Sequence, residues 1–396
     1  MKIALVNNRF NTPTGVSLSA LDVLLALNRV SSQLSVFTCF PSNIPRRHDG
    51  FPLENIQINR MKRHKHLEKR PDQSLLRTMG SVLNSRIQDL WACPYSRLNA
   101  FDVVFVNGIT SHRAGFFPDQ GPTSVLILRE SPDYLLNNPR TREKFDDLVM
   151  EISRYAFYIF VSQEVGRQWE KYLSIPPGHG TCIYNCSSEE THKKIRQHSR
   201  DHIREKLGFH KGDFLAVSVG TVNQRKGHDI PMALIPRILE VIPEFKYLIV
   251  GGTSSSGWTQ QLKRQCRKDP RLENTVIFTG AQPNAMEYIY GADVLLHPAR
   301  SEAQGRVLLE AMLLGTPIIA AEVGGIPEAV SHNEDGFLFS HDRPQEIIKY
   351  LTRLHRDGEC RQALTQTARQ KYWSIFSRQH HLTRFQRFLE EIQPRS

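Results

Sequence analysis

Apolar residues fall in short runs, separated by longer stretches in which they recur at helical spacing. The first run is "KIALV" (Lys2–Val6), and "VSLSALDVLLALNRV" (Val16–Val30) follows with an amphipathic helical pattern. Further runs are "LSVFTCF" (Leu34–Phe40), "FDVVFVNG" (Phe101–Gly108), "TSVLILRE" (Thr123–Glu130) and "YAFYIFVS" (Tyr155–Ser162). This strand-helix-strand rhythm predicts a parallel sheet flanked by helices. Between Pro41 and Ala100 the rhythm is lost, and helices and loops covering the sheet are expected there. It lapses again after "TCIYNCSSEE" (Thr181–Glu190), in the polar stretch "THKKIRQHSRDHIREKLGFHKGD", and then restarts. Strands are expected at Phe214–Gly220, Phe245–Gly252, Thr275–Gly280, Val294–Ala299 and Pro317–Ala321, with helical patterns between them. The chain reads as two α/β halves meeting near residues 186–200, followed by a helical tail able to pack across both.

Length and composition agree with this reading. A chain of 396 residues suits two domains. Hydrophobic residues at 40% and charged residues at 23% are those of a soluble globular protein. No apolar run reaches the roughly 18–20 residues of a membrane span. The start "MKIALVNNRF" has no long apolar signal core, so a cytoplasmic address is expected. The six cysteines are scattered without a CxxC pair, so reduced thiols are expected rather than disulfides or a cysteine metal site.

The net charge of +11 calls for an anionic partner: nucleic acid, an anionic membrane surface or phosphorylated ligands. Its densest run is "RMKRHKHLEKR" (Arg60–Arg70), with six Lys/Arg, two His and one acid. A nucleic-acid-binding protein would interleave aromatics with such runs. This run has none, so no nucleic acid is expected and that class stands as the alternative.

Two stretches carry candidate chemistry. In "SVGTVNQRKGHD" (Ser218–Asp229) a buried strand ends at Gly220, a loop carries Arg225 and Lys226, and a helix is expected to start near Gly227. Two cations and free backbone N–H groups at the carboxyl end of a parallel strand suit a diphosphate. The alternative is a solvated helix start, where Lys and Arg are common. In "SEAQGRVLLEAMLLGTPIIA" (Ser301–Ala320) Glu302 lies in a loop and Glu310 about two turns into a helix. Gly305 permits close backbone approach, and Gly315 ends the helix. A carboxylate accepts two hydrogen bonds from vicinal hydroxyls, as on ribose or a hexose. One carboxylate can hold a sugar and the other a nucleoside, with the helix N-terminus between them facing phosphate. The alternative is helix capping by Glu302 and an exposed Glu310. Against it, Glu310 lies among Leu308, Leu309, Met312 and Leu313, where an idle acid is costly.

The stretch "PARSEAQGRVLLEAMLLGTPIIAAEVGGIPEAV" resembles the nucleotide-sugar signature of retaining GT-B glycosyltransferases, the group called family 4. Its hallmark is a Glu, seven residues and a second Glu, matched by Glu302 and Glu310; "VGTVNQRKG" and "FTGAQP" match as well. The likeness covers the second half closely and the first half loosely. It implies a GT-B α/β fold of two Rossmann-like domains with a cleft between them. Residues 1–188 would bind the acceptor, 189–372 the nucleotide sugar, and 373–396 would cross back as a helix onto the first domain.

The resemblance also implies roles. Lys226 would grip the donor diphosphate, with Arg225 a second cation because Thr221 stands where the family usually has Arg. Glu310 would bind the ribose, and Glu302 would lie by the donor sugar with Gln304, Gly305 and Arg306. Gly220, Thr221 and Gly280 would line the donor site, and Gly15 would approach from the first half. Gly324, Gly325 and Glu328 read as a tight turn before a capped helix. On the acceptor side Arg129 and Glu130 stand where the family often presents a His, and His112 is nearby. Neither metal nor cofactor is expected, the donor being a co-substrate with UDP favoured over GDP. The implied acceptor is a glycan or lipid-linked hydroxyl, in surface polysaccharide or glycolipid synthesis. Arg60–Arg70 then reads as docking on the anionic inner face of a membrane, as attraction of an anionic soluble acceptor, or as a solvated basic helix. A nucleotide-sugar epimerase of the same fold is a further alternative, which the spacing of the two glutamates disfavours.

Overall fold

The computed structural model describes residues 1–7, 15–30, 33–38, 47–48, 51–52, 56–60, 62–63, 91–92, 98–112, 121–137, 139–253 and 257–392. The chain forms two compact units, residues 1–184 with 382–396, and residues 185–381.

The first unit holds strands β1 (Lys2–Val6), β2 (Gln33–Thr38), β3 (Arg47–His48), β4 (Phe51–Pro52), β5 (Ile56–Arg60), β6 (Lys62–Arg63), β7 (Trp91–Ala92), β8 (Val103–Asn107), β9 (Thr123–Leu128), β10 (Phe157–Phe160) and β11 (Gly180–Cys182). Seven of them form a sheet in the order β11-β10-β9-β8-β1-β2-β5, with every neighbouring pair parallel. The pairs β3/β4 and β6/β7 are short antiparallel ladders. Strands β1 and β8 are buried along almost their whole length, which is why they appear as unbroken apolar runs.

The second unit holds β12 (Phe214–Val219), β13 (Phe245–Val250), β14 (Val276–Gly280), β15 (Val294–His297), β16 (Ile318–Ala321) and β17 (Phe337–Phe339). They form one parallel sheet in the order β14-β13-β12-β15-β16-β17. In both sheets the chain starts in the middle, runs to one edge, and returns to build the other side. The order reverses between β1 and β8 in the first sheet and between β12 and β15 in the second. Parallel sheets of this kind bind ligands at the carboxyl ends of the strands flanking that reversal.

Several elements depart from the sequence reading. The region expected to carry helices and loops contributes β5 as an edge strand; its pattern "IQINR" alternates instead of running apolar. Strands β11 and β17 have three residues each, too few for periodicity to mark them. The helix expected near Gly227 begins at Asp229, because residues Gln224–Lys226 form a 3-10 turn first. Asn223 caps that turn with its own side chain, accepting from the turn's third amide, Lys226 N, at 3.1 Å. The tail is interrupted as well. A helix over Gly358–Lys371 passes through a π turn at Tyr372–Phe376, and a second helix runs Arg378–Ile392. From Leu382 onward that last helix belongs to the first unit, with Leu382, Phe385, Phe388, Leu389 and Ile392 buried in its core. Phe105 of β8 meets Phe385 and Phe388 with ring centroids 6.4 Å apart in each case. The unit boundaries fall at 184/185 and 381/382, four and nine residues from the expected 188/189 and 372/373. Among the described residues no helix is long and apolar enough to cross a membrane. Of the basic run Arg60–Arg70, residues 61 and 64–70 lie outside the described residues.

Candidate functional site

In the second unit, the loops that leave β12 and β15 lie against each other where the strand order reverses. Two glycines make this possible. Gly227 has φ +68°, and a Cβ there would sit 2.0 Å from the Pro298 carbonyl oxygen, so a larger residue would push the loops apart. Gly324 has φ +52°, and its Cβ would sit 2.0 Å from the Glu302 carbonyl oxygen, which also accepts from Gly325 N at 3.1 Å. The "VGGIPE" turn therefore fixes the backbone of Glu302 from behind. Between the loops, Arg300 N donates to Arg225 O at 2.7 Å, and the Arg300 guanidinium grips Asp229 through two bonds of 2.8 and 2.6 Å.

This frame brings four ionisable side chains together. Lys226 Nζ donates to Glu302 Oε2 at 2.5 Å, Arg225 Nη1 lies 3.4 Å from the same oxygen, and His297 Nε2 lies 3.3 Å from it. Arg225 Nη1 also donates to Ser301 O at 2.8 Å. The stem of Lys226 crosses Gly220, whose Cβ would stand 3.1 Å from Lys226 Cε. Side-chain exposure is 12% for Lys226, 13% for Glu302 and 3% for His297, so the Lys226 and Glu302 charges interact with little solvent screening. Burial raises the Glu302 carboxyl, but Lys226, His297 and Arg225 together outweigh it and hold the group well below the usual carboxylate range. Burial lowers the Lys226 ammonium, with Glu302 opposing it. Burial also lowers His297, so it is a neutral imidazole near neutral pH. His228, buried beside the cluster, is pushed down to about 3 by burial and by Lys226 and His297.

The helix Arg306–Leu314 leaves the same loop. It begins at Gly305 with no side-chain cap and ends at Gly315, which donates to Ala311 O and Met312 O. Neither part of the alternative reading describes it: Glu302 does not cap the helix, and Glu310 is buried, at 7% exposure. Glu310 Oε1 lies 3.8 Å from Arg306 Nε, one turn back on the same buried face. Gln304 is buried; its Oε1 accepts from Asn185 N at 2.8 Å and from Asn185 Nδ2 at 2.7 Å. Gly280 closes β14 and accepts from Gly251 N at 2.9 Å, and Thr221 is exposed just past β12.

The first unit places its candidates at the carboxyl ends of β8 and β9. Arg129 Nε donates to Asn107 Oδ1 at 2.7 Å, and Asn107 Nδ2 donates to Asn7 Oδ1 at 2.8 Å, tying together the ends of β1, β8 and β9. Burial raises the Glu130 carboxyl, with Arg129 opposing it, and its Oε2 has no hydrogen-bond partner among the described residues. His112 is held by Tyr155 Oη at 3.0 Å on Nδ1 and by Glu151 Oε2 at 3.1 Å on Nε2. Gly15 opens the helix Gly15–Val30, and the loop before it lies outside the described residues.

Sequence reasoning missed His297, Asn223, Gly227 and Asn185. His297 left a signal, a lone titratable residue ending the run "VLLHPA". The other three act through turn geometry or a contact distant in sequence.

Solved structures identify the class of fold. A structure of HepE from Anabaena described as in complex with UDP has TM-score 0.73 and 18% identity, covering 99% of this chain and 100% of that one. Sucrose-phosphate synthase from Thermosynechococcus elongatus has TM-score 0.76 and 17% identity, covering 99% of each chain. The fold is GT-B: two Rossmann-like halves and a C-terminal helix. Within it, residues 199–371 match the model of the family described as glycosyl transferases group 1. D-inositol 3-phosphate glycosyltransferase from Acidothermus cellulolyticus is 30% identical over 200 residues, 49% of this chain and 42% of that protein. N-acetyl-alpha-D-glucosaminyl L-malate synthase from Bacillus anthracis is 24% identical over 211 residues, 53% of each. The matched part thus spans about half the length of these relatives.

Proposed function

We propose that this protein is a retaining glycosyltransferase of the group called family 4. It moves a sugar from a nucleoside diphosphate sugar, UDP before GDP, to a hydroxyl of a glycan or lipid-linked acceptor. The observation that carries the reading is the Lys226–Glu302–Arg225 cluster at the strand-order reversal, with Glu310 buried on the helix leaving the same loop. The family match over residues 199–371 supports it, as do neighbours described with UDP and UDP-glucose.

In the reaction the bond between the anomeric carbon and the β-phosphate oxygen breaks, and the acceptor oxygen bonds that carbon on the same face. The acceptor proton passes to an oxygen of the departing diphosphate. Negative charge grows on that diphosphate, and Lys226, Arg225 and the uncapped start of the helix Arg306–Leu314 stabilise it. Glu310 binds the ribose hydroxyls and Glu302 the donor sugar, with Gln304, Gly305 and Arg306 completing the wall. Gly220, Thr221 and Gly280 border the nucleotide. Arg129, Glu130 and His112 are the candidates for the acceptor-side residue. The chemistry requires no metal, so a chelator leaves turnover unchanged. Arg60–Arg70 attracts an anionic membrane surface on which a lipid-linked acceptor sits, each Lys or Arg contributing about 1 kcal/mol.

The test is thermal stabilisation by UDP, GDP, ADP and their sugars, on wild type and Glu310→Ala. A ligand that binds only the folded state raises the melting temperature. One nucleotide stabilising wild type and not the variant is expected; no shift with any nucleotide at millimolar concentration sinks the donor-site reading.

A further inference from the structure

At the other end of the helix Arg306–Leu314, about 13 Å from the donor-site loop, the second unit has an open cavity of about 590 Å³. Its lining includes Arg196, Arg200, Arg369, Gln362, Gln366 and Trp373, and no acidic side chain. The arginines converge there: a Cβ on Gly315 would lie 3.5 Å from Arg369 Cδ and 4.0 Å from Arg196 Nη1. Neither the Arg196 nor the Arg369 guanidinium has a carboxylate or hydrogen-bond acceptor among the described residues. Arg200 is held by Asp293 at 2.9 Å, but Asp293 also serves Arg204 at 3.0 Å, so one carboxylate answers two cations.

A helix C-terminus attracts cations, and this one faces Arg196 and Arg369. Its end carries only about half a unit of negative charge, too little to balance them. The excess acts on nearby groups. Burial, then Arg196, Arg369 and Lys193, pushes His192 down to about 4, and burial followed by Arg196 lowers Arg369. The glutamines recur at four-residue spacing on the helix Gly358–Lys371, so amide donors share a face with Arg369. Trp373, 41% exposed, adds a flat apolar wall.

We infer that this cavity is a second anion site, which binds the phosphate of an organic phosphoester whose body rests against Trp373. Its volume lies within the range of small-ligand pockets and exceeds what a bare phosphate fills. Guanidinium pairs are the usual means of holding phosphate. The phosphate can come from a soluble metabolite or a lipid headgroup.

Phenylglyoxal labelling of arginines, mapped by peptide mass spectrometry on the full chain, separates this site from the donor loop. Inorganic pyrophosphate is expected to protect Arg196 and Arg369 together. In parallel, wild type and the double variant Arg196→Gln/Arg369→Gln are sedimented with vesicles of phosphatidylglycerol or of phosphatidylcholine. Protection without a vesicle difference assigns a soluble phosphate. Retention on phosphatidylglycerol that falls about tenfold or more in the variant assigns a headgroup. If pyrophosphate protects neither arginine and vesicle retention is the same for both proteins, the inference is wrong. The wild-type labelling stands even if the variant melts early.

Discussion

Replacing Lys226 with Ala removes the shortest contact to Glu302 Oε2, 2.5 Å, and leaves a buried carboxylate behind. Breaking a buried pair by removing one partner costs about 3–5 kcal/mol. Arg225 and His297 remain at 3.4 and 3.3 Å, so the low end applies, about 3 kcal/mol. For a unit of this size that lowers its melting temperature by roughly 6–12 °C. The effect on transfer is separate and of similar size in free energy. Loss of one preorganised charge contact to a developing anion slows the chemical step by ~10²–10³. The assay is kcat and KM with the stabilising nucleotide sugar, at a temperature where circular dichroism shows the variant folded. The double variant Lys226→Ala/Glu302→Gln divides the two effects. Stability should recover, since removing both partners is nearly neutral, while turnover stays low. Wild-type turnover in folded Lys226→Ala would refute the assignment of this lysine.

Other perturbations read different parts of the same frame. His228 and His192 are pushed from 6.5 to about 3 and about 4, so the unfolded chain binds protons that the folded second unit refuses. Their contribution is complete above pH 6.5 and shrinks as pH falls, by about 1.4 kcal/mol per group per pH unit. Urea midpoints at mildly acid and neutral pH check this, and His228→Asn should flatten the slope. Gly324→Ala meets the Glu302 carbonyl and should slow transfer about a hundredfold in a folded protein, because the carboxylate is displaced; unchanged kcat would show that the turn does not position it. Glu302→Gln frees Lys226 and Arg225, so the nucleoside diphosphate should bind about tenfold tighter by calorimetry while transfer falls. Equal affinity would mean that Glu302 does not compete with phosphate. Phe385→Ala, deep in the first unit's core, should cost about 3–5 kcal/mol in denaturant melts.

What the sequence revealed and concealed follows from the range of each interaction. Strands β1, β8, β12 and β15 were legible because both faces are buried, and burial leaves a continuous apolar run. Glu302 and Glu310 were legible because one loop and one helix set their separation. The partner of Glu302 was not. Lys226 was read as a phosphate ligand on its own, and nothing local says that a residue 76 positions away approaches its ammonium. His297 closes the same triangle and was hidden in the apolar strand it terminates. Gly227 and Gly324 look like ordinary turn glycines until the carbonyl each one admits is in view. The anion cavity was illegible for the same reason. Arg196, Arg200 and Arg369 lie in two polar helical stretches, and only the fold brings them to one helix end.

Stability alone does not account for the Lys226–Glu302–His297 cluster. A buried ion pair recovers little more than the cost of dehydrating it, and well-packed apolar residues in its place are often neutral or better. Here the cost is compounded: Arg225 adds a second cation to one carboxylate, and His297 and His228 are held against protonation. Two glycines admit a backbone approach of the loops that other residues would block, and the helix beside them starts without a cap. Groups with displaced protonation equilibria, gathered at the reversal point of a parallel sheet, mark a site that handles charge. On the proposed function, a diphosphate fits that site because it supplies the second negative charge the two cations lack, and because it leaves with the sugar's bonding electrons. On that same reading Glu302 has two successive partners, Lys226 before the donor binds and a sugar hydroxyl afterwards.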